Sequence, residues 1–117
     1  MSKTIWKPGT VLYPVPAVMV SCGTLEKPNI ITIAWCGTLC TSPAMTYISV
    51  RPERFSYGII KQHKEFVINL TTEALAEATD FCGIKSGRDI DKFKETRLTA
   101  AKSNEVSAPS IAESPVN

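Results

Sequence analysis

Short apolar, β-branched runs separated by turn residues fill the chain from Ala17 to Val50, and the period of the pattern turns helical near Arg51. Pro14 and Pro16 hold the entry extended, at a strand start or sheet edge where a missing N–H costs nothing. Ala17 to Cys22, AVMVSC, reads as a first strand, GTLEKP as a turn, and Asn29 to Trp35 as a second strand pairing back on the first. TSPA makes a turn, and Met45 to Val50 forms a third strand, with Tyr47, Ser49 and Arg51 alternating against Ile48 and Val50. Phe55, Ile59 and Ile60 then share a helical face as far as about Gln62, with Pro52 suited to a helix start. EFVINL, Glu65 to Leu70, is a fourth strand. A second helix follows over Glu73 to Phe81, opened by Thr71 or Thr72 and ended by Gly83. KSGRDIDKFK predicts a short helical turn with Ile90 and Phe93 inward, Thr99 to Ser107 a loop, and APSIAESPVN the beginning of another strand. Four strands and two helices make a curved antiparallel sheet with an open edge, and open edges require closure or a partner.

Composition narrows the classes. A chain of 117 residues makes one domain. With 44% hydrophobic and 21% charged residues it is expected to fold as a globular unit. The 13 basic and 11 acidic residues give a net charge of +2 with no block of one sign, which argues against nucleic acid as a partner. The N-terminus lacks the apolar run of a signal peptide, and nothing approaches the roughly 18 apolar residues of a membrane span, so a cytoplasmic location with no membrane partner is expected. In that compartment the four cysteines, Cys22, Cys36, Cys40 and Cys82, are reduced thiols. Zinc is not indicated, because Cys36 and Cys40 are spaced CxxxC and the single histidine, His63, falls in another element.

Four segments together, PVPAVMVSCG, PNIITIAWCGTLCTSP, ISVRPERFSYGIIKQHKEFVINL and DFCGIKSGRDIDKFKET, resemble the flavin reductase-like family of FMN-binding split barrels, especially its flavoredoxin-like branch. The resemblance covers about Pro14 to Asn117 and lies in the order and spacing of the segments. It implies a mainly β fold, a six-stranded antiparallel split barrel with small helices at its openings. It also implies a homodimer with FMN at the interface, and passage of electrons from NAD(P)H or a redox protein through FMN to a flavin or other acceptor. Members of this branch run on for some dozens of residues beyond the position of Asn117, so the barrel is expected to be incomplete at the C-terminus.

FMN requires a phosphate cradle, hydrogen bonds to the polar edge of its rings and an apolar surface under them. In the resembling proteins the second strand and its loop run along the flavin, which implies cofactor contacts at Asn29, Thr32, Ala34, Trp35, Cys36 and Gly37. Ile31, Ile33 and Trp35 also read as the core face of an ordinary strand. Arg51, Arg54, Ser56 and Tyr57 combine a helix start, guanidinium forks and a hydroxyl, a set suited to phosphate. An isolated R-x-x-R-x-S also describes a solvated basic corner, and the resemblance favours the phosphate. Lys85, Ser86, Gly87, Arg88 and Lys92 match the family's SGRxxDKF segment and reach the same phosphate in this reading, with surface charge pairing as the rival.

No basic residue neighbours Cys36 or Cys40 in sequence, so neither has the setting of a reactive thiol. Packing is expected of Cys40 and Cys82, and a place near the flavin ring of Cys36. His63 is expected to serve a helix end. No protein acid or base is implied, so no catalytic residue is assigned. The rival readings are a truncated, non-catalytic split barrel that binds flavin weakly or serves only in assembly, and a pyridoxamine-phosphate-oxidase-like or haem-binding relative.

Overall fold

The computed structural model describes residues 1–117, with seven short strands and three α-helices in chain order. They are β1 (Val18–Gly23), β2 (Pro28–Ile33), β3 (Cys36–Thr41), β4 (Ala44–Ile48), α1 (Phe55–His63), β5 (Val67–Asn69), α2 (Ala76–Ile84), α3 (Lys92–Thr96), β6 (Ala100–Ala101) and β7 (Ser110–Ile111). A single 3-10 turn, Glu73–Leu75, leads into α2.

The centre is β1, paired antiparallel with β2 through six positions from Val18 opposite Ile33 to Gly23 opposite Pro28, and with β5 on its other edge. Every residue of β1 is buried, Ser21 among them, which is why VMVSC reads as a nearly continuous apolar run instead of an alternation. One face of the sheet packs Val18, Val20, Ile31 and Ile33 against Cys36, Ile48, Val50, Phe66 and Ile68. The opposite face packs Met19 and Ile30 against Leu75, Cys82, Phe93 and Ile111. At the β1–β2 turn Gly23 adopts φ +87 with the Lys27 carbonyl against it, a left-handed conformation that only glycine takes cheaply.

The second strand departs from its expected bounds. It ends at Ile33, two residues early, because the chain turns at Ala34, where the Cys36 N–H donates to the Ala34 carbonyl at 3.1 Å. CGTLCT, which falls between the expected second strand and the TSPA turn, is the separate strand β3. It forms a hairpin with β4, bulged between Thr38 and Cys40, and β4 stops at Ile48 short of Val50. The signal is weak there because no residue from Ala34 to Phe55 is fully buried; only Cys36, Ile48 and Val50, half-buried, pack on the sheet. The second helix begins as a 3-10 turn and passes through Gly83 to Ile84. The short helical turn is α3, with Phe93 buried and Ile90 half-buried. Asp91 caps it, accepting a hydrogen bond from the Lys94 N–H at 3.1 Å.

The C-terminal segment is held by Asn69, which is fully buried. Its amide donates to the Met19 carbonyl and the Ser21 hydroxyl at 2.9 Å each, while its oxygen accepts from the Ile111 N–H at 2.9 Å. Ser21 in turn donates to the Pro109 carbonyl. The expected strand in APSIAESPVN is thus only β7, two residues paired with β6 and docked beside β5.

The strands form a three-stranded sheet in the order β2-β1-β5 and two separate two-stranded ribbons, so the barrel is not closed. The radius of gyration is 15.7 Å, above the roughly 13 Å of a compact chain near this length. Residues 1–17 have no regular structure and carry exposed Ile5, Trp6 and Leu12.

Replacing Asn69 by Leu strands the Ile111 N–H and the Met19 carbonyl in the core. It is expected to lower unfolding free energy by about 2–4 kcal/mol in urea titration. A loss below about 0.5 kcal/mol would show that Asn69 does not hold the C-terminal segment.

Candidate functional site

A cavity of about 240 Å³ opens where the start of α1, the end of α2 and the loop into α3 meet. The chain leaving β4 contributes Arg51 and Arg54, and the first turn of α1 contributes Ser56. Arg54 is the N-cap residue, in extended conformation; no side chain caps this end and its first turn holds no acidic residue. The helix therefore presents uncapped N–H groups and the positive end of its dipole. From the other side come Lys85, Ser86, Gly87, Arg88 and Lys92. Five basic side chains thus line the cavity against one acidic residue, Glu53, which pairs with Arg51 at 3.3 Å on the exposed surface.

Lys92 has the least ordinary setting. It is only 4% exposed, and its ammonium donates to the Ile30 carbonyl at 2.8 Å and the Cys82 carbonyl at 2.7 Å. It ties β2 to α2 with no carboxylate partner, since Arg51 to Glu53 is the one ion pair of the chain. Burial lowers its pKa below the ordinary 10.5; the Cys82 thiol opposes this and the positive charge of Arg54 adds to it. A cation withdrawn from water among other cations, with only neutral acceptors, calls for an anion.

Ser56 is fixed from below. It is buried and accepts a hydrogen bond from the Asn29 side-chain amide at 2.8 Å. Cys22, opposite Asn29 on β1, completes this cluster: burial raises its pKa, and hydrogen bonds to Ser56 and Asn29 only partly offset the rise. Gly87 lies so tightly over the pair that a Cβ there would overlap Asn29 Oδ1 and come within 2.9 Å of Phe55 Cδ1. Arg88 follows with its guanidinium 6.0 Å over the Phe55 ring.

A second cavity, of about 480 Å³, adjoins the first through the shared residues Ile31, Arg51 and Arg54. Thr32, Ile33, Ala34, Trp35, Ser49 and Val50 complete it, so more of its lining residues are apolar than in the basic pocket.

Of the residues singled out from sequence, Arg51, Arg54, Ser56, Lys85, Ser86 and Lys92 meet at the basic pocket, and Thr32, Ala34 and Trp35 line its neighbour. Asn29 lines neither and donates its side-chain amide to Ser56, which lines the basic pocket. The Thr32 hydroxyl donates to the Thr79 carbonyl of α2, so its proton is committed to the fold. Cys36 and Gly37 on β3 line neither cavity: Cys36 packs on the sheet and Gly37 lies against the Tyr47 ring. Tyr57 lines neither as well, its ring lying under Lys61 at 5.9 Å. Sequence reasoning missed Ile31 as a wall of both cavities, and Ser49, although the alternation of Ser49 with Arg51 placed the two on one face.

Cys40 corrects an expectation: it is exposed on β3, its thiol 3.0 Å from the Pro43 carbonyl, because nothing covers the hairpin. Cys82 is packed as expected, and burial raises the pKa of Cys82 and, less enclosed, of Cys36. No group of three or more His, Cys, Asp or Glu side chains is placed to hold a metal ion, and no helix is long and apolar enough to cross a membrane.

The family model for the flavin reductase-like domain matches residues 10–117. The chain belongs to that family. An uncharacterized protein of Archaeoglobus fulgidus is 32% identical over 106 residues, which are 91% of this chain and 59% of that protein. Among solved structures, the flavoredoxin of Desulfovibrio vulgaris (Miyazaki F) superposes with a TM-score of 0.87 at 32% identity, over 97% of this chain and 62% of that one. An FMN-binding protein of Thermus thermophilus, solved with 1-cyclohex-2-enone, shares the fold at a TM-score of 0.78 and 18% identity, over 97% of this chain and 64% of that one. The chain therefore spans about three fifths of the length of these flavin reductase-like relatives.

Thiol accessibility checks the burial pattern of this flavin reductase-like domain. At pH 8 a disulfide reagent should titrate Cys40 fast and Cys36 slowly, leaving Cys22 and Cys82 silent until denaturant is added. Four fast thiols would contradict it.

Proposed function

We propose that this chain binds FMN and passes electrons from NAD(P)H or a redox protein to a flavin or other acceptor. The observation that carries the reading is Lys92, a buried ammonium without a carboxylate partner at the base of a pocket with five basic residues and a free helix N-terminus. A phosphate dianion supplies the missing counter-charge, and the membership in the family, with the FMN-binding relative, makes flavin mononucleotide its natural carrier.

In this reading Arg54 and the α1 N–H groups take the phosphate oxygens, with Ser56 held to its place by Asn29 and with Arg51, Lys85 and Ser86 around the rim. Lys92 supplies charge from below. The isoalloxazine lies along the second cavity, against Ile31 and Trp35 and within reach of the backbone around Ala34. Trp35 is 47% exposed, and the β3–β4 hairpin next to it is uncovered, so a second copy of the chain closing over the ring is the assembly that fits the flavin. Bound flavin supplies the hydride and electron chemistry; the protein binds it, orients it and limits access of water. The buried thiols do not enter the chemistry, because their raised pKa values keep them protonated at neutral pH.

Titration with FMN should quench flavin fluorescence. Arg54→Ala should weaken FMN by about tenfold or more and riboflavin little, since one charge-assisted contact to phosphate is worth about 1.5–3 kcal/mol. Equal loss for both ligands would remove Arg54 from the phosphate site, and no binding of FMN by the parent chain would end the flavin reading. NADH or NADPH oxidation with added free flavin separates a reductase, which turns over, from an electron carrier, which does not.

The pH dependence has a definite sign. Lys92 must be charged to attract phosphate, and its pKa in the free protein lies below 10.5. FMN affinity should therefore fall as pH rises through that lowered value, at a lower pH than an ordinary lysine would give. The neutral variant Lys92→Met should bind weakly with the alkaline limb flattened.

A further inference from the structure

The segment that precedes β1 is apolar and basic without being packed. Ile5 is 98% exposed, Leu12 87% and Trp6 76%, and Val11 and Tyr13 are exposed as well. Five large apolar side chains clustered in one exposed stretch mark a surface made for contact. Lys3 and Lys7 flank the first two, and no acidic residue occurs before Glu26. The molecule measures 57 × 35 × 29 Å, and this segment stands off its body as an arm.

A surface of matching character lies along α2. A cavity of about 440 Å³ is lined by Ala17, Thr71, Ala76, Thr79, Asp80 and Ile84, among others. The hydroxyls of Thr71 and Thr79 donate to the Ala17 and Leu75 carbonyls at 2.7 Å each, which leaves their methyl groups for the cavity. Ile84, 69% exposed, extends this apolar surface. The charge around it is of one sign. Asp80 lines the cavity, Glu77 precedes it by three residues on α2, and Glu73 lies in the turn before. No basic residue occurs from Thr71 to Ile84, and none of the three carboxylates is in an ion pair.

The arm and the α2 cavity are thus complementary twice, apolar against apolar and lysine against carboxylate. The arm of the same chain is directed away from the cavity. Ala17, at its root, is itself a cavity wall held by Thr71, and Pro14 and Pro16 keep the residues before it extended.

We propose that the arm docks in the α2 cavity of a second copy of this chain, whose own arm returns the contact. The apolar side chains from Ile5 to Tyr13 cover Ala76, Ile84 and the threonine methyl groups, and Lys3 and Lys7 meet Glu77 and Asp80. Such an exchange is isologous, so every contact is made twice. About a dozen arm residues and the nine cavity residues of each copy reach the roughly 20–30 residues a side of a standard interface. The contact uses α2 instead of the β3–β4 hairpin and does not depend on the flavin reading.

Sedimentation equilibrium of the full chain without flavin tests it. The parent chain should dimerise. Lys3→Glu with Lys7→Glu should raise the dimer dissociation constant about tenfold or more, and Glu77→Lys with Asp80→Lys should do the same, because each reversal sets like charges together at both arms. The four substitutions combined should restore the parent value. A parent chain that stays monomeric, a double variant that dimerises like the parent, or a combined variant that regains nothing would each overturn the proposal.

Discussion

The ammonium of Lys92 bonds the sheet to α2 within the apolar layer that also joins them. It takes the Ile30 carbonyl from the sheet and the Cys82 carbonyl from α2, so the angle of that helix to the sheet is set by a polar contact inside an apolar layer of Met19, Ile30, Leu75, Cys82 and Phe93. Neutral acceptors satisfy its hydrogen bonds and leave its charge unbalanced, the cost of which appears as a lowered pKa. Stability and anion binding are therefore coupled at one atom. Filling the pocket with a dianion removes a penalty that the folded chain carries by itself, so ligand should raise the unfolding midpoint beyond the effect of rim contacts alone.

The site is built by dividing one strand between two tasks. Successive residues of β2 point to opposite faces, so Asn29 and Ile31 face the α1 and hairpin side while Ile30 and Thr32 face α2. Asn29 can thus hold Ser56 at the helix start while Ile30, its neighbour in the chain, receives Lys92 through its carbonyl. The two cavities proposed for phosphate and rings lie side by side because Ile31 is a wall of both.

Much of this was legible in the residues. AVMVSC, EFVINL and the helical spacing of Phe55, Ile59 and Ile60 located β1, β5 and α1 within two residues, since burial writes its period into the sequence. Arg51, Arg54, Ser56, Lys85, Ser86 and Lys92 do share one cavity, but only the family resemblance singled them out together, because the residues alone equally describe a solvated basic corner. What did not emerge depends on contacts between distant segments. The β3–β4 hairpin half-buries only Cys36, Gly37 and Ile48, at its base, and so has little apolar period to read, and Cys40 lies on its exposed part. The hydrogen bond from Asn29 to Ser56, 2.8 Å long between residues 27 positions apart, has no local signature either. The tether of Thr32 to α2 and the turning of Tyr57 toward Lys61 likewise have no local signature.

The polar side chains along β2 also proofread the pairing of the sheet. A slip of β2 by one residue against β1 would bring Asn29 under α2 and Ile30 beneath Ser56, exchanging every polar partner on both faces at once. An all-aliphatic strand would feel such a slip only as altered packing. With an amide required on one side and a threonine hydroxyl on the other, the wrong alignment leaves buried donors empty on both, and mispaired chains have no comfortable minimum in which to rest.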